Sequence, residues 1–211
     1  MLRRYQRITL GAAALALLSA VGAHAFDQPA KEEDWDPTVP QEQVMRSLAE
    51  VAGKFGPYAV ILQSALLNEA VRNGSILEAK VDAPEYRERD GKQYLGFSLD
   101  SGIVYNDNSV SPDDRLRRTW QDIVISAIRR LTEVQFDKVE GLAIRVGYHH
   151  RPYESERELR EQLPEGRGEA EQVSYYIALD DAAGMVKGTA DLPKVLERTT
   201  IVRGTEVVTL K

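Results

Sequence analysis

Cysteine is missing from all 211 residues. Its absence excludes thiol nucleophiles, thiolate metal centres and disulfide staples. It also excludes a lipoprotein, because lipid attachment after a bacterial-type leader needs a cysteine at the new N-terminus. Positive charge is short as well: 27 Lys and Arg stand against 33 Asp and Glu, a formal net charge of −6. That balance gives little nonspecific grip on nucleic acid or anionic lipid, since each phosphate contact needs a cation. Beyond residue 25 no run of about 18 apolar residues occurs, so no membrane span is expected there. The signatures of common enzymes are missing too. There is no G-x-S-x-G elbow, H-E-x-x-H helix, Walker phosphate loop or G-x-G-x-x-G turn.

What is present begins at the N-terminus. Arg3, Arg4 and Arg7 precede an apolar run from Ile8 to Gly22, and Ala23-His24-Ala25 places small residues at the two positions a signal peptidase reads. This is the layout of a secretory signal peptide over residues 1–25, with cleavage expected before Phe26 and a periplasmic or secreted product. An uncleaved anchor fits less well, because the run is short and alanine-rich for a span. The residues after Arg3-Arg4 also depart from a twin-arginine signal. Losing the leader removes three arginines and no acid, taking the formal charge from −6 to −9.

Residues 26–38 form an acidic arm, with Asp27, Glu32, Glu33, Asp34 and Asp36 against Lys31, and with Trp35 as its one anchor. Residues 39–211 are expected to form a single globular domain. Apolar spacing predicts a helix from Pro40 to Phe55 and a second over Tyr58–Val71, stopped at Asn73-Gly74. Leu77, Ala79 and Val81 alternate as a strand, and Glu85 to Lys92 reads as a charged hairpin loop turning at Asp90-Gly91. Leu95, Phe97 and Leu99 give the return strand. Asp100-Ser101-Gly102 reads as a turn, with Ile103-Val104-Tyr105 as a short extension.

Ser111-Pro112-Asp113-Asp114 has the chemistry of a helix start, opening a helix to Glu133 with Leu116, Trp120, Ile123, Val124, Ala127 and Leu131 in one stripe. From Gly141, Leu142, Ile144, Val146 and Tyr148 alternate with Ala143, Arg145, Gly147 and His149. A short helix over Ser155–Leu163, a strand with Val173, Tyr175, Ile177 and Leu179, a helical turn from Asp191 to Glu197 and a β-rich tail turning at Arg203-Gly204-Thr205 complete the chain. The order predicts an α+β fold: an antiparallel or mixed sheet of about five strands, a long amphipathic helix packed on one face, and N-terminal helices. The alternative is a three-layer α/β arrangement.

Tyr148-His149-His150-Arg151-Pro152-Tyr153 is the best chemical candidate. It holds the only histidines after the leader and mixes a titratable ring, a fixed cation and phenols at a strand end. Arg145, His149, His150, Arg151 and Tyr153 are therefore the candidate ligand-binding residues. Against this, strand-end aromatics often pack on the sheet while charges are solvated, and adjacent strand residues point to opposite faces. No metal is assigned, since two adjacent histidines in a strand do not normally chelate one ion. Asn106, Asp107, Asn108, Ser109, Ser111, Asp113 and Asp114 offer oxygens for calcium. However, they lack EF-hand spacing, and the two helix-start acids already have a role. Asp100 and Asp180-Asp181 end strands and suggest a carboxylate pair of the glycosidase kind, but also an ordinary turn.

The expectation is an exported, non-catalytic domain binding a partner protein or envelope component. No catalytic residue, cofactor or nucleic acid is assigned, and the oligomeric state is left open. Two alternatives stand beside it. One is an exported hydrolase using His149 or His150 with a carboxylate such as Asp100 or Asp180. The other is a sensor or carrier of a small anionic ligand held by Arg145, His149 and Arg151.

Overall fold

The computed structural model describes residues 41–74, 79–155 and 168–210, with side chains from residue 45 onward. The leader, the acidic arm and all but the first residue of the helix expected over Ser155–Leu163 lie outside the described residues. The chain divides into two compact units, Met1–Glu50 and Val51–Lys211. What is described of the first is the opening of helix α1 (Gln41–Phe55), where Met45 is 39% exposed.

The second unit contains the core. Helix α2 (Pro57–Asn73) begins on proline after Gly56 at φ 86° and ends where the Gly74 N–H bonds to the Ala70 carbonyl. The strands are β1 (Lys80–Val81), β2 (Glu85–Arg89), β3 (Lys92–Asn106), β4 (Gly141–Arg151), β5 (Glu169–Ala178), β6 (Thr200–Arg203) and β7 (Glu206–Val208). They form one seven-stranded mixed sheet in the order β1-β3-β4-β5-β6-β7, with β2 also paired to β3. Among the described strands only β3 and β4 run parallel; the other neighbours are antiparallel. The fold is α+β.

Several elements differ from expectation for identifiable reasons. The charged segment Glu85–Arg89 is not a loop but strand β2, and the turn shrinks to Asp90 (φ 53°) and Gly91 (φ 73°). Two left-handed residues suit the twist of a tight hairpin, and the long arginine stems lie along the sheet. Asp100-Ser101-Gly102 is not a turn either. Strand β3 continues through it by a bulge between Asp100 and Val104. Gly102 takes φ 62° there, and the buried Ser101 hydroxyl donates to the Gly147 carbonyl at 2.8 Å. Leu179 opens the helix that follows instead of closing strand β5.

The run expected to reach Glu133 ends at Ile128. It joins α3 (Pro112–Arg118), a π-helical stretch (Thr119–Ile125) and α4 (Ser126–Ile128). The wider turn brings Ile125 and Ile128 into the core beside Trp120, Ile123, Val124 and Ala127. Its distinctive contact is with the sheet: Trp120 lies 5.5 Å from the Tyr175 ring, and the Thr119 hydroxyl pairs with the Tyr175 hydroxyl. Helices α5 (Leu179–Val186) and α6 (Leu192–Arg198) link β5 to β6.

Strand registers stack the core in rows. Leu95, Leu142 and Ile177 lie side by side, then Phe97, Ile144, Tyr175 and Ile201, then Leu99, Val146 and Val173. All ten are at most 3% exposed. Because side chains alternate along each strand, the residues between these on β3, β4 and β5 belong to the opposite face. That face contains Tyr94, Gly96, Ser98, Ala143, Arg145, Ser174 and Tyr176.

Candidate functional site

Strand β4 carries two polar assemblies, one at its end on the core side and one around Arg145 on the opposite face, and the candidate residues are divided between the two faces. His150 belongs with the core-side row. Its Nδ1 lies 3.0 Å from Asp107 Oδ2, and its Nε2 faces Glu171 at 3.7 Å and Glu169 at 3.9 Å. Asp107 also pairs with Arg115, whose side chain is 6% exposed, and Arg115 Nε faces Glu171 at 3.8 Å. Arg203 completes the network, with Nε 3.6 Å from Glu171. Under it, burial and then the charge of Glu171 push the Tyr148 phenol well above its ordinary value. Each cation of this network meets a carboxylate of the same network. The assembly ties the ends of β3, β4, β5 and β6 together.

The hydrolase alternative paired a histidine with Asp100 or Asp180. The carboxylate at His150 is Asp107 instead, while Asp100 is exposed on the opposite face and Asp180 lies in the first turn of α5. Asp107 is spent on Arg115 and His150. Asn106 is engaged with Tyr153, donating from Nδ2 to its carbonyl at 2.8 Å and accepting its N–H at 3.2 Å. Tyr153 thus anchors the chain after β4. Ser111 caps α3 by accepting the Asp114 N–H, and its hydroxyl donates to Asp114 Oδ2 at 2.7 Å. That bond holds the Asp114 carboxyl below the usual carboxylate range. Among the described residues, no group of three or more His, Cys, Asp or Glu side chains is arranged to hold a metal ion.

Arg145, His149 and Arg151 belong by alternation to the opposite face. Arg145 and His149 stand about 13 Å apart along the strand at ~3.3 Å per residue, with Gly147 between them. His149 Nδ1 is buried without a hydrogen-bond partner. Arg145 sits between two serines, opposite Ser98 on β3 and Ser174 on β5, and its Nε donates weakly to Ser174 Oγ at 3.4 Å.

Residues outside the sequence candidates complete this face. Arg87 of β2 lies flat across Gly96: a Cβ on that glycine would come within 2.6 Å of the Arg87 Cδ. Its Nη2 donates to Ser98 Oγ at 2.7 Å and its Nε to Glu85 at 2.9 Å, while its Nη1 is buried without a partner. Tyr94 lies likewise over Gly141 and meets Tyr176 edge to face at 5.2 Å. The Arg89 guanidinium stacks 4.9 Å from the Tyr176 ring. Val207, 62% exposed, continues the row of Ser174 and Val202. One signal for this surface is in the sequence, because Gly96 and Ser98 alternate with Leu95, Phe97 and Leu99. Reading Glu85–Lys92 as a loop hid Arg87 and Arg89.

Compared with protein-family models, curated proteins and solved structures, the chain matches none. No helix among the described residues is long and apolar enough to cross a membrane.

Proposed function

We propose that the protein is an exported, non-catalytic binding domain, released to the periplasm or outside by cleavage before Phe26. It engages a partner protein or envelope component through the open face of its sheet. The carrying observation is the make-up of that face: half-exposed Tyr94 and Tyr176, exposed Val207, Arg87 lying across Gly96, and Arg89 stacked on Tyr176. Tyrosine and arginine are the residues that interfaces favour, because each offers broad contact area with a polar end. Trp120 and Thr119 of the π-helical stretch meet the other face at Tyr175.

Burial of the His150 ring among carboxylates favours this reading over hydrolysis. A general base needs a free nitrogen aimed at a substrate proton. Both nitrogens of His150 face carboxylates of the protein itself.

Two measurements test the proposal. N-terminal sequencing of the protein recovered from the envelope fraction should begin at Phe26; an intact Met1 would overturn export by cleavage. Capture from envelope extracts should fall about tenfold in a Tyr176→Ser, Arg89→Glu variant, the loss expected from one or two interface hot spots. It should persist in Tyr86→Ser, which alters a tyrosine 40% exposed on the opposite face. Equal capture by both variants would remove the open face from the reading.

A further inference from the structure

We propose that Arg87 and Arg145, with the hydroxyls of Ser98 and Ser174, form a binding site for a carboxylate group on the open face. The inference rests on the binding-domain reading and names the chemistry of its ligand. Register places the four groups together. Arg145 is flanked by the two serines on neighbouring strands, and Arg87 reaches Ser98 Oγ at 2.7 Å. The cluster is almost wholly made of donors. Each serine oxygen accepts a guanidinium N–H, Ser98 from Arg87 and Ser174 from Arg145, which leaves both hydroxyl protons to donate outward.

Arg87 Nη1 is buried and unpartnered on a side chain 11% exposed. No carboxylate among the described residues lies within ion-pair distance of Arg145. Asp100, on the same face, instead accepts the Gly102 N–H at 3.2 Å. Among the described residues Arg87 Nη1 is thus a buried donor without an acceptor, which is costly unless one arrives.

The charge of the site selects the class of anion. Glu85 lies 2.8 Å from Arg87 and offsets one of the two guanidinium charges. One net positive charge matches a single carboxylate better than a phosphate dianion, and planar guanidinium forks suit its two oxygens. The Tyr94–Tyr176 pair beside the site would carry the body of the ligand. Two sources share this chemistry: the carboxylate of a peptide and that of an acidic sugar.

The test uses the mature protein with three probes, N-acetylglycine, glucuronate and orthophosphate, followed through the side-chain Nε–H signals of Arg87 and Arg145. A carboxylate probe should shift both signals saturably, and whichever of the two binds tighter identifies the source. Arg145→Ala and Arg87→Ala should each weaken that binding by about tenfold, as loss of a charge-assisted pair predicts. Arg118→Ala, a control away from this face, should leave it unchanged. Gly96→Ala, which displaces Arg87 without removing its charge, should weaken it as well. No saturable shift, equal affinity in an Arg87→Ala, Arg145→Ala double variant, or tighter binding of orthophosphate than of either carboxylate would each overturn the assignment. If the probes fail while Tyr176→Ser, Arg89→Glu still lowers capture, the carboxylate site falls and the binding face stands. If the probes bind while capture is unaffected, the binding face falls.

Discussion

Glycine at 96 and at 141 does different work, though both lie on the open face. A Cβ at Gly141 would strike the Ile177 backbone carbonyl, which the β4–β5 ladder holds in place. Gly141→Ala should therefore cost about 1–3 kcal/mol, in the range of an overpacked interior, measured by denaturant unfolding. At Gly96 the obstacle is the far end of a flexible arginine. Gly96→Ala should change stability by about 1 kcal/mol or less, while disturbing the donor cluster around Ser98.

Ser111 offers a different test. Its hydroxyl depresses the Asp114 pKa in the folded protein. The resulting stabilisation is present above the ordinary carboxylate value and is lost as pH falls through the lower folded value. Ser111→Ala should move the Asp114 titration, followed by carboxyl NMR, upward toward its ordinary range and shrink that acid-side loss. The cap was legible in Ser111-Pro112-Asp113-Asp114, because helix starts are specified by neighbours in sequence.

At the scale of elements, irregularities give the clearest tests. The π-helical stretch sits where Tyr175 reaches up from the sheet: its hydroxyl donates to the Leu116 carbonyl at 2.8 Å and meets the Thr119 hydroxyl. Tyr175→Phe would leave those buried groups one partner short, costing about 1–3 kcal/mol in thermal or denaturant unfolding. A variant as stable as the parent would show that this bond does not hold the widened turn.

The stripe Leu116, Trp120, Ile123, Val124, Ala127 and Leu131 was readable from its spacing, and all six are buried. The widening was not readable, because it answers a hydroxyl 56 residues away. The bulge at Asp100–Val104 follows the same rule. Its Ser-Gly pair looks like a turn until Ser101 finds the Gly147 carbonyl across the parallel strand.

At the scale of the whole folded unit, Glu171 joins segments far apart in the sequence. Its carboxylate faces Arg115 beyond β3, His150 at the end of β4 and Arg203 on β6. Glu171→Gln removes the charge from a network in which Arg115 is nearly sealed from water. The cost should be about 1–3 kcal/mol, visible as a lower unfolding midpoint, and Arg203→Gln should cost less because Arg203 is 31% exposed. Equal losses would show that the network acts through its rim instead of its buried centre.

The sequence by itself determined the class of fold, the apolar rows of β3, β4 and β5, the helix start at Ser111 and the division of His149 from His150 between two faces. These depend on periodicity and on residues next to one another in the chain. The tertiary structure alone decided the partners. His150 meets Asp107 from 43 residues away, and Arg145 comes to lie between Ser98 and Ser174, beside the arginine carried by Ser98. Alternation states which face a side chain takes. Which donors share that face, and whether an acceptor comes with them, depends on the order in which the strands pair.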